Sequence, residues 1–225
     1  ALVITEFAAF ELFMLRHAGA EKEYSDDIIE KAHAKYESMS DEQRYILQKN
    51  IIAGLPGGQE GYTIEQFRDK LAEYDNIDEK QYRENLKYFL DAVVPVAEES
   101  GVRLAIHPDD PPVPLFGLPR IVSTEQDIAY LVSIYDSIYN GFTLCTGSLG
   151  VRPDNDLVGI IERHGGKLNF AHLRSTQRDG MGSFHEASHL RGDVDMYNVI
   201  VSILKEQQKR HSAHRLDEKI QMRAD

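Results

Sequence analysis

Four short segments of the sequence, each typical of a β-strand, carry residues at their ends that could do chemistry. His107 ends the first segment, Cys145 lies in the second, His172 in the third, and Asp225 follows the fourth. Parallel strands bring their carboxyl ends to one edge of a sheet, so we expect these four side chains to converge there. Imidazole, thiolate and carboxylate together suit a divalent transition metal, and the soft sulfur ligand disfavours Mg²⁺ or Ca²⁺.

Each of these residues also has an ordinary structural interpretation. A lone histidine at a strand end is more often a hydrogen-bonded structural residue than a ligand. The cysteine, beside Leu144, could equally be a small core residue, and an aspartate after a strand usually belongs to a turn or a cap. The shared position of all four residues at strand ends favours a metal site, but spacing alone leaves both interpretations open.

A second pattern that could bind a metal lies at residues 185–189 (HEASH). It matches H-E-x-x-H, in which two histidines one helical turn apart bind zinc and the glutamate acts as general base. That geometry needs a helix, whereas Gly182 precedes the pattern and Gly192 follows it closely. We therefore predict a loop after the third strand that binds no metal, in which His185 and Glu186 cap or line the strand end near a substrate.

The elements that would position these residues alternate along the back part of the chain. Strand–helix alternation predicts parallel strands covered by helices, as in half of a (β/α)8 barrel or one wing of an open sheet. Four strands cannot close a barrel, which takes ~250 residues. The first helix after a strand is predicted to begin with a capping box of Ser123 and Gln126. The predicted strands span 102–107, 142–146, 168–173 and 220–223, and the predicted helices about 124–139, 156–164 and 194–209.

The front part, residues 1–101, is predicted to be helical throughout. Capping boxes at Ser40/Gln43 and Thr63/Gln66 indicate two helix starts. A turn-rich break between them contains Gly57-Gly58, but no strand precedes this pair and no Gly-Lys-Ser/Thr follows, so a connection between helices is favoured over a phosphate loop. A long helix is predicted over about 78–100.

Composition excludes some classes of function. The net charge is −12, with −10 in residues 1–101 and −2 in residues 102–225, which argues against a nucleic-acid-binding protein. The acidic helical front is either a solvated surface or an interaction or oligomerisation surface.

No apolar run approaches the length of a membrane span, and the first ten residues lack the basic stretch of a signal peptide. Because Cys145 is the single cysteine, no internal disulfide can form, and a cytoplasmic location is predicted.

The two chain ends favour a fragment of a longer protein. The sequence starts at Ala1, within an apolar pattern and without an initiator methionine. It stops at Asp225, directly after a short segment typical of a strand. Tag removal and trimming are the alternative interpretation.

Several longer strings in the sequence resemble the mannonate dehydratase family of hexuronate catabolism. The resemblance extends over essentially the whole chain. In the front part it rests on Glu6-Phe-Ala-Ala-Phe-Glu, Met39-Ser-Asp-Glu, Asn50-Ile-Ile-Ala-Gly-Leu-Pro-Gly and Glu60-Gly-Tyr-Thr. In the back part it rests on His107-Pro-Asp-Asp-Pro-Pro, Gly117-Leu-Pro-Arg-Ile-Val-Ser, Cys145-Thr-Gly-Ser, His172-Leu-Arg-Ser, Phe184-His-Glu and Gly192-Asp-Val-Asp-Met.

This resemblance implies a (β/α)8 TIM barrel of the xylose-isomerase-like kind. The chain would hold its last four strands as residues 102–225, with residues 1–101 as a helical insertion of the barrel domain. The family is longer at both ends, and its final strand is followed by Asp and then His-Gly-His, whereas this sequence stops at Asp225. Ala224 also departs from the proline expected at that position.

The implied activity is metal-dependent dehydration of D-mannonate to 2-keto-3-deoxy-D-gluconate, with Fe²⁺ or Mn²⁺ as cofactor. The resemblance implies that the metal ligands are His107, Cys145, His172 and Asp225, and that Asp225 and Arg174 are catalytic. It also implies that Arg174 and His185 bind the substrate, a small sugar acid, in a homo-oligomeric enzyme. The alternative is a sugar isomerase or epimerase on the same type of barrel, which would share the metal but catalyse no loss of water.

Overall fold

The computed structural model describes residues 1–54 and 61–225, which form two compact units. The glycine pair Gly57-Gly58 of the turn-rich break lies outside these residues. The first unit comprises Ala1–Asp78, Pro114–Leu118 and Asp179–Ser183, and the second comprises Glu79–Val113, Pro119–Arg178 and Phe184–Asp225.

The described part of the first unit is mainly helical. Its core contains small and aliphatic side chains, among them Ala8, Ala32 and Ile28, beside a group of four phenylalanine rings. Both predicted capping boxes are confirmed, because in each the hydroxyl and the amide side chain satisfy backbone N–H groups reciprocally. The helices are α1 (Ile4–Ala9), a π-helical segment (Phe10–Leu15), a short 3₁₀ helix (Ala20–Lys22), α2 (Asp26–Ser38), α3 (Asp41–Ala53) and α4 (Ile64–Ala72).

The second unit alternates strands and helices, as predicted. The long helix is confirmed as α5, with Pro95 inside it and Gly101 after it in the left-handed conformation that glycine adopts most easily. The helices of this unit are α5 (Glu79–Ser100), α6 (Glu125–Ile134), α7 (Thr146–Leu149), α8 (Leu157–His164), a 3₁₀ turn (Gly165–Lys167) and α9 (Met196–Ser212). The strands are β1 (Leu104–Ile106), β2 (Asn140–Cys145), β3 (Leu168–Leu173), β4 (Ser175–Arg178), β5 (Phe184–Ala187) and β6 (Gln221–Ala224).

Four of the strands form one sheet in the order β1-β2-β3-β6, and every neighbouring pair is parallel. The register pairs Cys145 with His172 and His172 with Arg223. The carboxyl ends of all four strands therefore lie at one edge, as the alternating pattern predicts. Helices bury the sheet around a core that includes Phe142, Leu144 and Ile160. The fold of this unit is mixed α/β with a parallel sheet.

The start and end of α6 differ from the prediction. Its capping box consists of Thr124 and Asp127 rather than Ser123 and Gln126, because the Asp127 carboxylate accepts hydrogen bonds from the backbone N–H groups of both Ser123 and Thr124. The helix ends at Ile134 and not near residue 139. The side-chain amide of Asn140 donates hydrogen bonds to the carbonyl oxygens of Leu131 and Tyr135 at that end. These bonds replace the next backbone hydrogen bonds of the helix, so the helix stops before β2 begins.

The segment at residues 185–189 also differs from the prediction. Residues Phe184–Ala187 are strand β5, paired antiparallel with β4, rather than the predicted loop. This segment is a strand and not the helix that zinc binding by an H-E-x-x-H pattern needs, because successive side chains of a strand point to opposite faces.

Helices long and apolar enough to cross a bilayer do not occur in residues 1–54 and 61–225.

Candidate metal centre

Three of the predicted site residues lie together at the carboxyl edge of the sheet. The Sγ atom of Cys145 is 3.4 Å from Nδ1 of His172, and Nε2 of His107 is 3.4 Å from the same nitrogen. The three potential ligand atoms all lie within 4.8 Å of one another. Two ligands of one ion at bond lengths of about 2.0–2.3 Å and tetrahedral angles lie about 3.3–3.8 Å apart, so the spacing fits a shared cation.

Local hydrogen bonds set the direction of these ligand atoms. Nδ1 of His107 lies 2.7 Å from the carbonyl oxygen of Pro108. If Nδ1 carries the proton of that hydrogen bond, Nε2 keeps a free lone pair that can bind a metal. His172 has the opposite arrangement, because its Nδ1 faces Cys145 and His107. Two imidazole nitrogens and one sulfur form a donor set typical of a transition metal rather than of Mg²⁺ or Ca²⁺. This group is a possible metal-binding site.

Cys145 is fully buried at the end of β2, where burial raises the pKa of its thiol. The backbone N–H of Ser148 points at the sulfur at 3.4 Å, which partly opposes that rise. A thiol in this environment stays protonated in the free protein, and a bound divalent cation supplies the charge that converts it to a thiolate ligand. The burial of Cys145 therefore favours a site that binds its metal with release of a proton.

Helix α7, which directly follows β2, holds the end of β3 in place through Thr146. Its buried hydroxyl lies 2.6 Å from the carbonyl oxygen of Arg174 and accepts a hydrogen bond from the N–H of the same residue. The next hydroxyl, that of Ser148, donates to the backbone carbonyl of Asp109 after β1. These contacts join the three strand ends that carry the possible metal ligands His107, Cys145 and His172. Neither hydroxyl was predicted as a site residue, although both lie in the string Cys145-Thr-Gly-Ser.

Asp225 lies beside His172, on the other side of its ring. Its Oδ2 atom is 2.5 Å from Nε2 of His172, and its Oδ1 atom is 2.5 Å from Nε of Arg223. The hydrogen bond from His172, followed by the contact with Arg223, holds the pKa of the Asp225 carboxyl below its usual range. A carboxylate on the second ring nitrogen fixes the orientation and tautomer of a metal-binding histidine.

Arg174, two residues beyond His172, lies between two carboxylates. Its Nη1 atom donates to Asp110 at 2.6 Å, and its Nε atom is 3.1 Å from Glu186 without the alignment of a hydrogen bond. Burial opposes the charged form, yet the Asp110 contact raises the pKa of Arg174 above its ordinary value. Gly147 packs against the stem of this side chain, because a Cβ atom there would lie 2.8 Å from Cβ of Arg174.

The remaining predicted residue, His185, is exposed on β5, where its backbone pairs with Gln177. It lies outside the group formed by the three ligand atoms. The other histidine of the HEASH pattern, His189, lies with Nε2 2.9 Å from the carbonyl oxygen of Leu173, which ties the hairpin of β4 and β5 to the end of β3. Glu186, next to His185 on β5, contacts Arg174.

The pairing of Asp110 with Arg174 was not predicted from the sequence. Asp109 and Asp110 are adjacent in the string His107-Pro-Asp-Asp-Pro-Pro, but their carboxylates do different things. Oδ2 of Asp109 accepts hydrogen bonds from the N–H groups of Ile121 and Val122, so it organises the loop after β1. Asp110 reaches Arg174 instead. The pairing could have been suspected from sequence, because Asp110 lies three residues after the predicted ligand His107 and Arg174 two residues after His172.

The chain is similar to proteins of one known family. A family model described as D-mannonate dehydratase (UxuA) matches residues 13–225. A mannonate dehydratase of Marinomonas sp. (strain MWYL1) is 58% identical over 210 residues, which cover 92% of this chain and 53% of the relative. A mannonate dehydratase of Saccharophagus degradans (strain 2-40 / ATCC 43961 / DSM 17024) is 42% identical over 222 residues, which cover 99% of this chain and 56% of the relative.

A solved structure points to the same family. The crystal structure of mannonate dehydratase from Streptococcus suis serotype 2 matches with a TM-score of 0.56 and 40% sequence identity, over 59% of this chain and 39% of that one. The chain spans about half the length of the curated relatives it matches. Because the family model covers nearly all of it, the chain belongs to the D-mannonate dehydratase (UxuA) family.

Proposed function

We propose that the protein catalyses the metal-dependent dehydration of D-mannonate to 2-keto-3-deoxy-D-gluconate in hexuronate breakdown. The observation that carries the proposal is the group of His107, Cys145 and His172, whose ligand atoms lie within 4.8 Å of one another at the ends of adjacent parallel strands. Family membership supplies the substrate, since the relatives that match are named mannonate dehydratase.

The proposal includes the architecture implied by the family resemblance. The parallel sheet is taken as part of a (β/α)8 barrel of the xylose-isomerase-like kind, with residues 102–225 as its C-terminal half and residues 1–101 as a helical insertion. Support comes from the all-parallel four-stranded order and from the likeness to the solved mannonate dehydratase. A homo-oligomeric, cytoplasmic enzyme is part of the same proposal.

His107, Cys145 and His172 would hold the cation, proposed as Fe²⁺ or Mn²⁺. Two imidazoles and a thiolate fit either ion better than they fit Mg²⁺ or Ca²⁺. When bound, the cation supplies Lewis-acid charge that stabilises the negative charge developing on the substrate carboxylate as the C2 proton is removed. Asp225 keeps His172 oriented through Nε2, and the prediction that this carboxylate is also a ligand or the base for the C2 proton remains part of the proposal.

Arg174 is proposed to bind the substrate carboxylate. A guanidinium can clamp a carboxylate through two parallel hydrogen bonds, which places C2 at a defined position relative to the strand ends. The short contact with Asp110 leaves the other donors of the guanidinium for that purpose. His185, on the hairpin that carries Glu186, is proposed to contact the hydroxyl groups of the sugar acid. Loss of the C3 hydroxyl also requires a proton donor.

The test is an assay of the full-length protein with D-mannonate after chelation and after Mn²⁺ or Fe²⁺ is restored. We expect a keto-deoxy acid that appears only with the metal and is lost in Cys145→Ser and His107→Gln variants. A matched control is Asp154→Asn, which alters an exposed carboxylate of the same unit. Isomerised or epimerised sugar acid without a keto-deoxy product would replace the proposal with the isomerase alternative, and product formation unaffected by chelation would refute the metal site.

A further inference from the structure

The first unit contains a pocket of about 300 Å³ that is distinct from the strand-end group. All three arginines of residues 1–78 line it, and they come from three separate segments of the chain: the end of the π-helical segment, α3 and α4. Acidic side chains outnumber basic ones two to one in these residues. The convergence of the arginines in an otherwise acidic unit is what needs an explanation. The lining residues are Phe13, Met14, Arg16, Tyr36, Arg44, Ile64 and Arg68.

Two of the arginines are fixed in place by the backbone. The Nε atom of Arg68 donates to the carbonyl oxygen of Leu15 at 2.7 Å, at the end of the π-helical segment. Arg44 donates to the carbonyl oxygen of Tyr36, and its guanidinium lies 4.2 Å above the ring of that residue. Fixed guanidinium groups lose little conformational entropy when they bind a ligand.

These arginines are incompletely neutralised. Among the residues that the structure describes, Nε of Arg44 is buried and has no hydrogen-bond partner, and the nearest carboxylate to its guanidinium, that of Asp41, is fully exposed at 3.6 Å. The carboxylate of Glu65 is 4.0 Å from Arg68. Within residues 1–54 and 61–225, the guanidinium of Arg16 has neither a hydrogen bond nor an ion pair.

Arg16 adds a conformational argument. It caps the π-helical segment with φ 55° and ψ 48°, a left-handed conformation that costs a non-glycine residue about 1 kcal/mol. Glycine would be the ordinary choice for a helix end of this kind. An arginine here instead contributes a third positive charge to the pocket. Irregular π-helical turns are also frequent at functional sites.

We propose that this pocket binds the phosphoryl group of a small phosphorylated metabolite. A phosphoryl group presents three acceptor oxygens and about two negative charges, which match three guanidinium groups better than one carboxylate does. The aromatic rings of Phe13 and Tyr36 line the same pocket and offer an apolar surface to the rest of the ligand. The inference is independent of the function proposed for the strand-end group.

The test is calorimetric titration of the full-length protein with inorganic phosphate and with glucose 6-phosphate, at constant ionic strength. Malonate is titrated in parallel as a dicarboxylate of similar charge. The informative variant is Arg16→Gly, because it removes the charge and relieves the left-handed backbone, so its thermal midpoint without phosphate should be no lower than that of the parent. Arg16→Lys tests rescue of the charge, and Lys22→Gln is the control for an exposed charge of the same unit that lies outside the pocket.

We expect phosphate to bind, and Arg16→Gly to raise its Kd about tenfold or more, in line with the loss of a charge-assisted hydrogen bond. Lys22→Gln should leave the Kd within about twofold, and Arg16→Lys should restore part of the affinity. Absence of phosphate binding at 50 mM would overturn the proposal. So would equal effects of Arg16→Gly and Lys22→Gln, or tighter binding of malonate than of either phosphate compound.

Discussion

The substitution Asp225→Asn tests how the carboxylate beside the metal-binding group acts. Asparagine has nearly the same shape but no charge, so the change leaves the packing at the end of β6 intact. What it removes is the charge-assisted hydrogen bond between Oδ2 of Asp225 and Nε2 of His172, which measures 2.5 Å. The opposite ring nitrogen, Nδ1, is the one that faces Cys145. The variant therefore perturbs the metal site through His172 without touching the sulfur ligand.

The expected size of the effect depends on the role of the carboxylate. Carboxylates that orient a metal-binding histidine through its second nitrogen typically contribute 10–100-fold in metal affinity, or about 1.4–2.8 kcal/mol. A general base contributes about 10²–10⁴-fold in kcat, even when the metal is saturating. Because Asp225 contacts Nε2 of His172, we expect a loss of Mn²⁺ affinity of 10–100-fold. If the residue is also the base predicted from the family, kcat at saturating Mn²⁺ falls by at least about a hundredfold as well.

Two measurements on the full-length protein separate these roles. Equilibrium dialysis gives the Kd for Mn²⁺, and steady-state kinetics with D-mannonate at saturating Mn²⁺ gives kcat. Asp154→Asn is the matched control, since it removes one carboxylate of the same unit from an exposed pair with Arg152. A kcat change below about tenfold would refute the catalytic role. An unchanged Kd would refute the orienting role, and with it the argument from the His172 contact.

Three further outcomes follow from the structure. Gly147→Ala should displace Arg174 and raise KM for D-mannonate about tenfold while the Kd for Mn²⁺ stays the same, as kinetics and dialysis would show, because the new Cβ lies 2.8 Å from Cβ of Arg174. Mn²⁺ at about 100 times its Kd should raise the free energy of unfolding by about 2.7 kcal/mol in denaturant titrations, and Cys145→Ser should lose most of that gain. Asp127→Asn should lower the free energy of unfolding by about 2–3 kcal/mol at pH 7. Burial raises the pKa of Asp127, but the hydrogen bonds from Arg83, Ser123 and Thr124 hold that pKa below the ordinary value. The stabilisation is therefore present above about pH 4 and is lost as pH falls through the lower folded pKa. The free energies of unfolding of the parent and the variant should become equal in acid.

The parallel sheet could be predicted because its information is local. Strands β1, β2 and β3 are largely apolar runs bounded by turn residues, and the helices α6, α8 and α9 each have their own polar cap. Alternation of the two then restricts the topology to parallel strands with a common carboxyl edge. His107, Cys145 and His172 were identifiable for that reason, since their position at strand ends places them at one edge without any knowledge of tertiary contacts.

Predictions failed where two acceptable local patterns overlapped. Ser123 and Thr124 are both good cap residues, and each has a residue three positions later that can complete a box. The structure uses Thr124 because Asp127 can accept from two backbone N–H groups and also pair with Arg83, 44 residues earlier in the chain. That pairing cannot be seen in a local window. Similarly, the HEASH segment could not be recognised as a strand, because its partner β4 is short and adjoins β3 directly.

If Arg174 binds the substrate carboxylate as proposed, its present contacts identify the partner that the carboxylate would replace. Asp110 holds one end of the guanidinium through a short hydrogen bond from a loop that follows β1. Glu186, more exposed and poorly aligned with Nε, is held less firmly. An arriving carboxylate carries the same charge as Glu186 and offers better geometry, so it is expected to take the place of Glu186 rather than that of Asp110. In the proposed role, Arg174 would stay oriented by Asp110 while Glu186, on the hairpin of β4 and β5, would neutralise its other side until the substrate binds.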